Sequence, residues 1–186
     1  MRSCLGIYTV VPWVIATSVI AQRPIPNGAV LRGAVSFDGR ATLGDFVGRT
    51  DSVWGAFTGG PDLSAVRGWV EATTALLTNN GRRDNDLKKS METAKYPTMR
   101  FDLMAIAPEG TGDSIPAKLH GTLTIHGVKR DVVLPATVVR SGAEYRLRSD
   151  FPLNLKDYAI GGLSKMLGIL KMQEDIVVHV DILFGP

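Results

Sequence analysis

The sequence predicts an all-β fold closed as an eight-stranded antiparallel barrel. Three observations predict it. Apolar and polar residues alternate with period two over most of the chain, and short turn clusters rich in Gly, Asn and Asp punctuate that alternation. Eight segments satisfy the pattern, which is enough to close a barrel. They are about Ala29 to Phe37, Ser52 to Phe57, Val66 to Leu76, Thr98 to Ala107, Ile115 to Ile125, Val128 to Val139, Glu144 to Leu155 and Gln173 to Phe184. With 186 residues and 45% hydrophobic composition, one domain can bury a full core.

Ahead of the first strand, residues 1–21 read as a secretory signal. Arg2 is the only charge, an apolar run extends from Leu5 to Ile20, and Val19-Ile20-Ala21 offers a cleavage site near Ala21. The run is short for a bilayer span and contains Pro12, which favours a cleaved leader over an anchor. A lead of residues 22–28 would follow, then the barrel domain, residues 29–186, in a periplasmic or secreted protein. Cys4 precedes the apolar run, so removal of the leader would leave neither a disulfide nor a thiol nucleophile.

The third strand carries Glu71 among apolar positions, so alternation alone does not choose between its Trp69–Glu71 face and its Val70–Ala72 face. A short helix is expected after it. Asn79-Asn80-Gly81 suits a positive-φ turn, Asp84 can accept from the amides of the next turn, and Leu87 and Met91 form an i,i+4 apolar pair. Pro97 then turns Tyr96 away from helical geometry, and Met99, Phe101 and Leu103 share one face of the next strand.

In the following hairpin, Leu119, Leu123 and Ile125 take one face and His120, Thr122 and Thr124 the other. A two-residue loop at His126-Gly127 would set Ile125 opposite Val128, Leu123 opposite Arg130 and Leu119 opposite Leu134. That register turns Arg130 toward the apolar face near a barrel end, to meet a polar headgroup or to pair with a rim carboxylate. Between Phe151 and Met172 the alternation breaks. Leu163, Met166, Leu167 and Leu170 fall at helical spacing behind Gly161-Gly162, as an apolar segment closing one mouth or as a short packed helix. The last strand returns to period two, with Ile176, Val178, Val180, Ile182 and Phe184 inward and Val177, His179, Asp181 and Leu183 outward.

Composition excludes several functions. The balance of 21 Lys+Arg against 18 Asp+Glu, with no basic run longer than a pair, argues against nucleic acid as a partner. His120 and His126 lack a third nearby ligand and His179 takes an outward face, which argues against a metal site, and no Gly-x-Ser-x-Gly elbow marks a nucleophile. A small hydrolase or isomerase would need His120 or His126 beside a carboxylate in a cleft.

Three separated stretches carry a family resemblance. They are Leu77-Thr78-Asn79-Asn80-Gly81-Arg82-Arg83-Asp84-Asn85-Asp86-Leu87, Lys95-Tyr96-Pro97-Thr98-Met99-Arg100-Phe101, and Gly121-Thr122-Leu123-Thr124-Ile125-His126-Gly127-Val128-Lys129-Arg130-Asp131-Val132. In that order they resemble the YceI-like family of bacterial lipid-binding proteins, over nearly the whole chain beyond the leader. The resemblance implies a lipocalin-like barrel, usually exported to the periplasm, whose lumen holds a polyisoprenoid or isoprenoid quinone. It implies no enzyme activity and no cofactor beyond such a bound lipid, and exchange of that ligand implies transient membrane contact. Arg83-Asp84 matches the family's Arg-Asp pair, read here as a turn and cap device. The residues expected to meet the lipid are Met99, Phe101, Leu103, Leu119, Leu123, Ile125, Arg130, Leu134, Leu153, Ile160, Leu163, Met166 and Leu167. A stress-related scaffold barrel with a filled core is the rival, and the pattern alone does not separate hollow from full.

Overall fold

Residues that alternate strictly in sequence become staves of a closed wall. A computed structural model describes residues 24–42, 44–161, 164–165 and 170–186. The expected leader, residues 1–21, lies outside the described residues, as do Leu163, Met166 and Leu167. The strands are β1 (Gly28–Gly39), β2 (Phe46–Thr50), β3 (Val53–Thr58), β4 (Arg67–Thr73), β5 (Thr98–Pro108), β6 (Ser114–Ile125), β7 (Val128–Ser141), β8 (Glu144–Asn154), β9 (Ser164–Lys165), β10 (Leu170–Lys171) and β11 (Asp175–Gly185). Sheet order is β11-β8-β7-β6-β5-β4-β3-β1-β2, and β1 also pairs with β11, which closes the ring.

The ring has eight staves because β2 and β3 together form one of them. Both pair with β1, Val35 opposite Thr50 and Ala29 opposite Ala56, so the two pairs are six positions apart on either side and the register is unbroken. The expected second strand therefore starts too late: Phe46–Thr50 belongs to the wall. Gly48 hides it in the sequence, since glycine weakens a strand reading. In the fold the Phe37 ring occupies the space above Gly48, and the Phe46 ring does the same above Gly39. Each glycine lies directly across from the other strand's phenylalanine in the register, and the two rings meet edge to face at 5.9 Å.

The β6–β7 hairpin has the register expected of it, with Ile125 opposite Val128, Leu123 opposite Arg130 and Leu119 opposite Leu134. His126 and Gly127 have φ of 52° and 74°, the paired positive values of a type I′ turn. Glycine is needed at 127 for a second reason: a Cβ there would stand 2.7 Å from the Tyr96 ring.

Helix α1 (Gly81–Ser90) follows β4, but its cap differs from the expected one. Asn80 is the N-cap and its side chain accepts from the amides of Arg82 and Arg83, while Asn79 takes the positive φ of the turn. Asp84 sits inside the helix and accepts from the Thr78 amide and hydroxyl, both at 2.7 Å, tying the incoming loop to the first turn. The Arg83 guanidinium lies 4.3 Å from the Phe46 ring centroid. The Arg-Asp pair is thus architectural, one member holding a loop and the other an aromatic ring. Leu87 and Met91 are buried against the barrel end, and burying two such side chains contributes roughly 1.5–3 kcal/mol each.

β4 stops at Thr73, short of the expected Leu76. The Thr74 amide donates to Pro97 O and its hydroxyl to Tyr96 O, which diverts the chain off the ladder. Where the segment after Gly161 is described, its backbone forms the antiparallel rungs Leu170 opposite Lys165 and Lys171 opposite Ser164 rather than a helix.

Candidate functional site

The lumen is hollow. A cavity of about 210 Å³ runs along the barrel, from Ile25, Leu63, Phe57 and Phe184 at one end to Leu87, Met91, Ile160 and Met172 at the other. Aromatic placement keeps the axis open. The Phe101 ring lies 2.7 Å from where a Cβ on Gly121 would stand, and the Phe37 ring covers Gly48 in the same way, so both rings lie back against the wall. Gly68 and Ala72 line the cavity and add little bulk.

Of the expected lining, Met99, Phe101, Leu103, Leu119, Leu123, Ile125, Leu134, Leu153 and Ile160 all face this cavity. The inward set on the last strand, Ile176, Val178, Val180, Ile182 and Phe184, faces it as well. The face that β4 left open is decided by register. Val70 stands opposite Phe101 and Ala72 opposite Met99, so these face inward, and Trp69 and Glu71 face out. Outside, Arg100 donates to Asp102 at 2.7 Å and to Glu71 at 3.0 Å, with its guanidinium 4.6 Å from the Trp69 ring centroid. These carboxylate bonds raise the Arg100 pKa, and no part of the cluster reaches the lumen with its charge.

Arg130 takes the second of its two expected roles and pairs with a rim carboxylate. Register puts it opposite Leu123, yet it does not line the cavity. Its Nε donates to Asp157 O at 2.6 Å, Nη2 lies 3.3 Å from Asp157 Oδ1, and the Tyr158 ring centroid is 6.0 Å away. The long stem lets the charge reach the rim, where a carboxylate and a carbonyl are available. Tyr158 is buried beneath it, and that burial raises the phenol's pKa against the pull of the Arg130 cation.

The histidines do not converge on the cavity. His120 is exposed on β6. His126 Nε2 lies 2.9 Å from Glu92 Oε2, off the line of a good hydrogen bond, and its ring packs 4.5 Å from Tyr96 at the hairpin tip. Neither His126 nor Glu92 borders the cavity. His179, on the outer face of β11, reaches Asp150 Oδ1 at 2.6 Å and Asp38 Oδ2 at 3.3 Å. Its two ring nitrogens point at separate carboxylates, an ion-pair bridge rather than a metal site. Among the described residues no cluster of three metal-ligating side chains is present.

Sequence reasoning missed two features of the site. The first is Ser149, a hydroxyl on the lumen face of β8 among Tyr145, Leu147, Phe151 and Leu153. Strict alternation along β8 was a sufficient signal. The second is a split in the wall. β7 and β8 pair only from Ser141 opposite Glu144 to Thr137 opposite Arg148, and beyond that rung each pairs only with its other neighbour. Pro135 was the signal. Its carbonyl faces Ser149 on β8, so the side on which proline lacks an N–H is the side where the ladder stops.

Comparison with known proteins agrees with this architecture. A model of the YceI-like domain matches residues 31–184. Proteins described as UPF0312 from Pseudomonas savastanoi pv. phaseolicola and Pseudomonas syringae pv. syringae are 35% identical over 111 residues, 55% of this chain and 55% of each relative. The chain thus spans about half the length of the curated relatives it matches. Among solved structures, Burkholderia cenocepacia BcnA is similar at a TM-score of 0.69 and 18% identity, covering 81% of this chain and 95% of that one. A polyisoprenoid binding domain from Saccharophagus degradans, implicated in plant cell wall breakdown, is similar at 0.69 and 14%, covering 87% and 98%. The Campylobacter jejuni YceI protein reaches 0.52 at 22%, covering 63% and 70%. At these identities the solved structures speak for the fold, while the domain match spans nearly the whole barrel, and on that match the chain belongs to the YceI-like domain family.

Proposed function

We propose that this protein binds an apolar isoprenoid lipid or quinone in its barrel lumen, to sequester it or carry it across an aqueous space. The observation that carries the reading is the hollow, almost wholly apolar cavity of about 210 Å³ that extends along the barrel. The mechanism is desolvation. Moving an isoprenoid chain out of water into such a lumen gains about 25 cal/mol per Å² of apolar area buried. The wall residues Met99, Phe101, Leu103, Leu119, Leu123, Ile125, Leu134, Leu153 and Ile160 make the contacts. Export through the leader near Ala21, and transient membrane contact to exchange ligand, complete the proposal.

The polyisoprenoid binding domain among the solved structures supports this reading by its description. The rival hydrolase reading has little to stand on, because the one histidine near a carboxylate in the expected pair, His126, sits at a hairpin tip away from the cavity. Native mass spectrometry of the purified mature protein, followed by organic extraction, is the test. A stoichiometric apolar compound is expected. A protein that carries none and takes up no isoprenoid when one is supplied would favour the scaffold reading instead.

A further inference from the structure

Ser149 places a hydroxyl on the inward face partway along the cavity, and the bond that hydroxyl makes limits what it can recognise. Ser149 is 3% exposed, lines the cavity and stands opposite Val180 on β11. Its Oγ lies 2.6 Å from Pro135 O. A carbonyl oxygen only accepts, so the Ser149 proton is committed to it and the oxygen's lone pairs are what remain for a ligand. Pro135 O turns to this partner because the β7–β8 ladder has ended two residues before it, at Thr137 opposite Arg148.

Other polar groups bordering the cavity lie elsewhere. Tyr145 and Ser90 are near its two ends, Ser36 stands on the outward parity of β1 opposite His179 and Arg49, and Arg100 is held on the outer face by Glu71 and Asp102. At the rim near α1, Arg130 is engaged by Asp157, and Lys156 by Glu174 at 2.5 Å.

Resting on the lipid-carrier reading above, we propose that Ser149 is a specificity residue, a hydrogen-bond acceptor that selects an apolar chain ending in a hydroxyl over one ending in a carbonyl or an ether. Within the isoprenoids, the favoured class is the alcohol or quinol rather than the quinone. The hydroxyl enters first and donates to Ser149 Oγ, and the chain lies along Phe151, Leu153 and Leu123 toward the α1 end. A carbonyl or ether oxygen at the same place would face the Ser149 lone pairs with no proton between them, leaving two buried acceptors unpaired.

The test compares geranylgeraniol, its methyl ether and the corresponding aldehyde, each displacing a fluorescent apolar probe from the mature protein. The alcohol should bind about tenfold more tightly than the other two, the worth of one net hydrogen bond. Ser149→Thr keeps the hydroxyl and should keep the preference. Ser149→Ala, with its folding verified by thermal unfolding, should bring the three ligands within about twofold of one another. Equal binding of all three by the unaltered protein, or a preference that survives in Ser149→Ala, overturns the assignment and leaves the carrier reading intact. Failure of all three to bind overturns the carrier reading and the assignment with it.

Discussion

The two seams that flank β7 are built differently. On the β6 side the ladder runs from Ser114 opposite Val139 to Ile125 opposite Val128 without a break. On the β8 side it stops at Thr137 opposite Arg148, and side chains hold what the backbone does not: Ser149 to Pro135 O, Arg130 to Asp157, and Leu134 and Tyr158 within the same apolar cluster. The first seam is rigid by repetition, since every rung fixes the next. The second depends on a few separate contacts, each removable by one substitution. A barrel that must admit a ligand needs a wall of the first kind to define its lumen, and a place of the second kind can yield at lower cost.

The sharpest way to break that comparison is to truncate one leucine on each side. Leu119 and Leu134 are direct partners across the continuous seam, but Leu119 is 3% exposed while Leu134, on the strand that borders the split, is only partly buried. Leu119→Ala is expected to cost about 2–5 kcal/mol, and Leu134→Ala roughly half as much, because its site can relax toward the split. Urea unfolding monitored by tryptophan fluorescence measures both. Equal losses would mean that the split seam packs as tightly as the continuous one.

A smaller effect is expected from Arg130. The pair with Asp157 is exposed, so Arg130→Ala should lower global stability by only about 0.2–1 kcal/mol. Its local effect should be larger. The amides of Ala159 and Ile160, which donate to Lys156 O and Leu155 O, are expected to exchange with deuterium several-fold faster once the turn is no longer tied to β7. Unchanged exchange at those amides would show that Tyr158 packing alone holds the turn.

What was legible in the sequence follows the same division. The β6–β7 hairpin could be read to the residue because a two-residue turn fixes register and both apolar rows then coincide. The inward face of β11 was equally plain. β2 was not, because the partner that compensates for Gly48 is Phe37, on another strand. Nor was the hollowness of the lumen, since rings lying back on Gly48 and Gly121 leave no local trace. The face of β4 was ambiguous because Trp69 shares the outward face with Glu71, and what covers that ring is the Arg100 guanidinium, opposite Glu71 on β5. For Arg130 alternation gave the register and left a headgroup and a rim carboxylate both open, because alternation locates a Cβ and not the end of a long side chain; the structure gives the carboxylate, Asp157.

The smallest expected effect tests a third seam, the one between β1 and β11 that closes the barrel. Its backbone ladder extends from Ala29 opposite Gly185 to Asp38 opposite Val177, with a bulge between Val30 and Arg32. His179 adds a charged bridge on the outside, bound to Asp150 on β8 and Asp38 on β1. The Asp150 hydrogen bond raises the His179 pKa above the ordinary histidine value of about 6.5, burial opposes this, and Asp38 reinforces it. A raised folded-state pKa means that the folded protein holds the proton more tightly than the unfolded chain. The bridge therefore contributes its full stability below about pH 6.5 and loses it as pH rises through the higher folded-state value. With the side chain 38% exposed, solvent screening keeps the contribution below about 1 kcal/mol. Urea midpoints of the unaltered protein and His179→Gln, compared between pH 6 and pH 9, should differ more at the lower pH and converge at the higher. A difference that grows with pH would reverse the sign and remove the bridge from the account. A difference as large as that for Leu119→Ala would mean that the closing seam, though paired along its length, depends on side chains as the β7–β8 split does.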